Sequence, residues 1–139
     1  MKHFNLNFLP QSTDLALLIL RVWLGLSMLL LHGWGKLVNL INGTSKFPDL
    51  LGLGQTPTLI LVVFAEVVCA ALLVAGIYTR FCALLLAITM GVAYFIAHGA
   101  KLSGPGNGEL AFIFLAGFVT LVVAGGGRFG FDRKLGAKG

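Results

Sequence analysis

Charge is scarce in this chain, and negative charge is scarcest. Only 11% of its 139 residues are Asp, Glu, Lys or Arg, five acids against ten bases, where a soluble domain carries about 25%. With 58% hydrophobic residues and a mean hydropathy of +0.94, this shortage excludes an ordinary water-soluble globule. Cysteine is almost missing as well: Cys69 and Cys82 stand alone, with no Cys-x-x-Cys and no Cys-x-x-Cys-His, the spacings of dithiol and haem-attachment chemistry. No Gly-rich phosphate loop follows a strand and no serine nucleophile motif is present. No close pair of the His-x-x-x-His kind organises the histidines, so no metal is assigned, although two histidines and a carboxylate have the composition of a facial triad. The net charge of +5 falls on no basic helix interleaved with aromatics, which argues against nucleic acid and for contact with anionic lipid.

What the chain has instead is long hydrophobic runs, over 15–34, 57–77, 81–97 and 109–127, each near the roughly 17–25 residues of a spanning helix. They predict an all-α fold in one domain: a polytopic bundle of four transmembrane helices in a cell (inner) membrane. Gly125, Gly126 and Gly127 end the last run, whose first turn draws in 107–109. Lys2 before an apolar run resembles a signal peptide, but the run is long, contains Arg21 and lacks a small-residue cleavage pattern; no cleavage is expected. Flanking Lys and Arg set orientation. Lys2, Arg80, Arg128, Arg133, Lys134 and Lys138 share one side against Lys36, Lys46 and Lys101 on the other, which predicts both termini in the cytoplasm. The outer loop 37–56 is broken by Gly, Pro and Asn yet carries Phe47, Leu50, Leu51 and Leu53, a pattern predicting a short interfacial helix or re-entrant turn. Asn42-Gly43-Thr44 matches a glycosylation acceptor pattern in form only.

Six ionisable residues interrupt or flank these runs: Arg21, His32, Lys36, Glu66, His98 and Glu109. Such groups are costly at bilayer depth and normally face a partner or a polar cavity. Arg21 and His32, eleven residues apart, differ by only about 20° in direction on an ideal helix, and Gly25, Met28, Gly35 and Lys36 fall near the same stripe, a glycine-notched face suited to helix packing. Counting about 1.5 Å per residue sets Arg21 and Glu66 roughly 6 Å apart in depth, within reach of each other. They are expected either to neutralise one another and fix register or to make Glu66 a proton acceptor tuned by a guanidinium. Tyr94 lies one turn before His98, and with His32, Asn107 and Glu109 these groups converge on the outer half of the bundle, where a quinone carbonyl could be held in an apolar slot. His32-Gly33 with Lys36 and His98-Gly99 with Lys101 echo each other as the ends of parallel repeats would. Cys69 and Cys82 are expected to pack as free thiols.

At these residues the chain resembles the DoxX family of small four-helix membrane proteins. The features are Arg21, Gly25, His32-Gly33 and Lys36, then Leu51-Gly52, Ala65-Glu66, Gly76 with Tyr78-Thr79-Arg80, and finally His98, Asn107 and Glu109. Where the family commonly carries glycines after the helix-two glutamate, this sequence has Cys69 and Ala70. The resemblance implies the fold more firmly than the function. Some relatives are small subunits of quinone-reducing enzymes such as thiosulfate:quinone oxidoreductase, and others are linked to oxidative or thiol stress. The expected function is therefore a quinone-interacting membrane protein acting as, or within, an oxidoreductase, with Glu66, His32 and His98 as its reactive groups. Arg21, Lys36, Tyr94, Asn107 and Glu109 would bind the quinone. The alternative is a non-catalytic anchor subunit of a larger complex, with partner subunits or further copies of the chain against its notched faces.

Overall fold

Helix α1 starts where Ser12, extended at φ −139°, accepts the Leu15 N–H on its hydroxyl oxygen at 3.2 Å, an N-cap. The computed structural model describes residues 11–43, 46–134 and 136; Lys2, Lys138 and Thr44 of the expectations above lie outside the described residues. Helix α1 runs Thr13–Ile41, α2 Gln55–Ala75, α3 Thr79–Ala97, α4 Glu109–Ala124 and a short α5 Phe131–Lys134. The first three are long and apolar enough to cross a membrane, and α4 is a shorter apolar helix. Its early end has a local cause: Gly125 takes φ +74°. Gly76, left-handed at φ +75° and ψ +37°, ends α2, with the Gly76 and Ile77 N–H groups donating back to Leu73 and Leu72.

Each long helix packs on its neighbour in the chain, and α4 closes back on α1. Met28, Leu73, Ala83, Leu86, Phe118 and Leu121 fill the centre completely buried, with the free thiols of Cys69 and Cys82 among them. Trp23, Leu31, Phe81 and Val123 point outward, the inversion expected of helices solvated by lipid.

Three of the helices are not regular. A π turn replaces α-helix at Met28–Gly33 in α1, Phe64–Cys69 in α2 and Ala93–Ala97 in α3. The turn in α1 corrects the expected notch. Gly25 and Gly33 are eight residues apart, about 80° in direction on a straight α-helix; one extra residue taken up in a π turn brings them within about 20°. Both then meet α2. A Cβ on Gly33 would stand 2.5 Å from the Glu66 carbonyl oxygen, and one on Gly25 would stand 3.2 Å from that of Ala70, whereas Gly35 has open space beside it.

Of the two forms expected for the loop, the short helix is corrected. Helix α1 continues to Ile41, and the described part of the connection, 46–54, contains no helix. Asp49 organises it, accepting the Leu53 N–H on Oδ1 and the Gly54 N–H on Oδ2, each at 3.0 Å, and the Thr58 hydroxyl at 3.1 Å. Gly52 and Gly54 supply the positive φ that the loop needs.

Candidate functional site

Glu66 is 2% exposed in the π turn of α2, and its ion-pair partner is Lys36. The Lys36 ammonium lies 2.6 Å from both Oε1 and Oε2, so two of its three N–H groups are occupied and one is left over. The expected pairing of Glu66 with Arg21 is overturned. Lys36 lies nearer the C-terminal end of α1 and reaches toward the bundle centre along its flexible stem. Arg21 is spent at the opposite end, where its Nη1 donates to the Gly126 carbonyl at 3.1 Å and its Nη2 to that of Phe129 at 3.3 Å. A chain segment folding back beneath the bundle takes the guanidinium that helix arithmetic had left for Glu66.

Around the Lys36–Glu66 pair lies a cavity of about 510 Å³, within the roughly 300–1,000 Å³ of small-molecule sites. Phe47, Pro48, Leu50 and Leu51 of the loop roof it, Leu61, Phe64 and Ala65 of α2 form one wall, and Leu85, Ile88, Val92 and Ala97 of α3 form the other. Leu61, Phe64 and Ile88 are also half-exposed on the outside of the bundle, so the cavity opens sideways between α2 and α3, toward lipid. Its polar groups are few. Thr58 is tied to Asp49 and the Thr89 hydroxyl to the Leu85 carbonyl, which leaves Lys36, Glu66 and His98. The Nδ1 of His98 is 2.9 Å from the Gly106 carbonyl. A carbonyl only accepts, so Nδ1 carries the proton and Nε2 is available to the cavity.

The other expected site residues do not join them. His32 stands edge-on to Phe114 of α4, ring centroids 5.6 Å apart. Tyr94 donates its hydroxyl to the Ala100 carbonyl at 3.1 Å. Asn107 donates to the Gly104 carbonyl and accepts the Glu109 N–H in a tight turn just before α4, while Glu109 itself is exposed. Tyr94 and Asn107 thus brace the connection that presents His98. The apolar loop residues were read in the sequence as an interfacial cover, but Asp49 was not, though Asp49 followed by Gly52, Gly54 and Thr58 is a local capping signal.

This arrangement defines a multi-pass α-helical membrane protein with a lipid-facing cavity built around one buried ion pair. The chain belongs to the DoxX family, whose model matches residues 16–99, the stretch that holds Lys36, Glu66 and His98. It is 31% identical over 119 residues to an uncharacterised protein of Haemophilus influenzae, a match covering 77% of this chain and 81% of that relative. No solved structure matches.

Proposed function

We propose that the cavity between α2, α3 and the 46–54 loop binds a quinone and that the protein works as, or within, a quinone-linked membrane oxidoreductase. The observation that carries this reading is a lipid-facing apolar cavity with charged and hydrogen-bonding groups confined to one pair and one imidazole. Those residues fit a small ring bearing polar oxygens and an apolar tail. A bound quinone supplies two-electron, two-proton acceptor chemistry. The remaining Lys36 N–H is placed to donate to a carbonyl oxygen, and Glu66 to hold and return a proton beside it. His98 Nε2 offers a second proton-exchanging atom at the rim. Electrons come from a bound substrate or a partner subunit in an inner membrane, with both termini cytoplasmic.

The test is titration of the detergent-purified protein with a short-tailed ubiquinone analogue, read by thermal shift and by direct binding. His98→Ala and Glu66→Gln are expected to weaken binding about five- to a hundredfold, the loss of one buried hydrogen bond, while His32→Ala and Glu109→Gln leave it unchanged. If the parent protein binds no quinone, the anchor-subunit reading takes its place. Gly25, Gly33 and Gly117 are taken up by contacts inside the bundle, while Gly35 and Gly91 have open space beside them and stay available to a partner under that reading.

A further inference from the structure

At the opposite end of the bundle a second cavity, about 720 Å³, opens between the starts of α1 and α3 and the segment after α4. Arg80, Arg128 and Arg133 line it together with Asp14 and Asp132. Both acids are already committed to backbone: Asp14 accepts the Arg128 N–H at 2.8 Å, and Asp132 accepts those of Tyr78 and Thr79 at 2.6 and 2.8 Å. Among the described residues none of the three arginines forms an ion pair. Arg80 uses its Nε on the Val122 carbonyl, and among the described residues its terminal nitrogens make no further hydrogen bond. The cavity therefore gathers three guanidinium groups against two carboxylates already engaged by backbone N–H groups, which leaves guanidinium donors for a phosphate. Its remaining wall is apolar, with Leu17 and the outward-facing Phe81 and Tyr78, and it sits where spanning helices begin and end, at the level of lipid headgroups. A soluble phosphate would use only half of such a site.

We propose that this cavity binds an anionic phospholipid, the headgroup phosphate held by Arg80, Arg128 and Arg133 and an acyl chain lying along Leu17 and Phe81. Basic pockets between helices are known to select anionic headgroups. The test is native mass spectrometry of the full chain, delipidated in mild detergent and offered dioleoyl phosphatidylglycerol or dioleoyl phosphatidylcholine at equal mole fraction, with glycerol phosphate and inorganic phosphate as soluble competitors. The parent protein is expected to retain the anionic lipid at least about tenfold better than the zwitterionic one, and Arg80→Gln/Arg128→Gln/Arg133→Gln to lose that preference. Lys46→Gln/Lys101→Gln, which lowers net charge elsewhere, should keep it. Should the triple variant not fold, Arg128→Gln and Arg133→Gln, whose side chains make no hydrogen bond or ion pair among the described residues, each carry the same expectation in smaller measure. Equal retention of the two lipids overturns the proposal, as does equal loss in the Lys46/Lys101 variant. Displacement of the lipid by either soluble competitor at its own concentration overturns it in favour of a free-anion site.

Discussion

Lys36 gives Glu66 a partner that leaves a neutral pair at bilayer depth, and the strongest test at the scale of residues is to break that pair. Lys36→Met alone strands a carboxylate that is 2% exposed, which should cost about 3 kcal/mol. Lys36→Met combined with Glu66→Leu should recover most of that loss, because no buried charge is left unpaired. Arg21 provides the contrast. Arg21→Met abandons the part-buried carbonyls of Gly126 and Phe129, each worth at most about 1–3 kcal/mol when unsatisfied, yet its effect should add to that of Glu66→Leu within about 0.5 kcal/mol, since the two side chains share no partner. Equilibrium unfolding of the singles and doubles in mixed micelles decides both points; strong coupling between Arg21 and Glu66 would restore the rejected pair. Sequence reading identified Glu66 as the costly group but chose the wrong cation. Depth was counted along straight helices, and nothing in the sequence showed 126–130 folding back under Arg21.

The same limit appears at the scale of elements. Four hydropathic runs located the three long helices and the shorter α4 to within a few residues except at the end of α1, which runs on from Trp34 to Ile41; hydropathy marks the lipid-soluble part of a helix, not its hydrogen-bonded end. What hydropathy does not encode is the π turn, because an extra residue in one turn leaves composition unchanged while rotating everything beyond it. Thus Gly35 was read into the packing stripe and Gly33 was not. The consequence is measurable. Gly33→Ala places a methyl group 2.5 Å from the Glu66 backbone oxygen, where neither backbone yields easily, and should destabilise the bundle by about 1–3 kcal/mol. Gly35→Ala meets nothing within 4 Å and should be neutral or stabilising by up to about 1 kcal/mol, the ordinary gain of alanine over glycine inside a helix. Equal effects would mean that α1 keeps regular α-helical phase through 28–33. Gly33→Ala should also weaken quinone binding, since pushing α1 off α2 moves Lys36 relative to Glu66.

Taken as a whole molecule, the bundle has two unlike ends: arginines with glycine-rich turns at one, and at the other a loop clipped over the cavity that holds the ion pair. Lys46→Cys in a Cys69→Ala/Cys82→Ala background should react with a membrane-impermeant maleimide added from outside the cell; labelling only from the cytoplasm would invert the proposed orientation. How the cavity is closed turns on Asp49. Desolvation pushes its carboxyl up, but hydrogen bonds from the Gly54 N–H, the Thr58 hydroxyl and the Leu53 and Gly52 N–H groups outweigh it and hold the group below its ordinary value. A lowered folded-state pKa means that the ionised clip contributes fully above the unfolded-state value, about 3.9, and fades as pH falls through the lower folded-state value. The roof made by Phe47, Leu50 and Leu51 should therefore stay closed across the physiological range and loosen only in strong acid. Asp49→Ala removes the clip at every pH. Amide hydrogen-exchange protection at Leu53 and Gly54, measured over the intrinsic rate, should then fall at least about tenfold at neutral pH and lose the acid-dependent step that the parent chain shows. Exchange beyond the loop, in α2 and α3, should remain that of the parent, because Asp49 touches only the first turn of α2. Unchanged protection at Leu53 and Gly54 in Asp49→Ala would show that apolar contact alone seats the roof, and the cavity would then open and close without regard to pH.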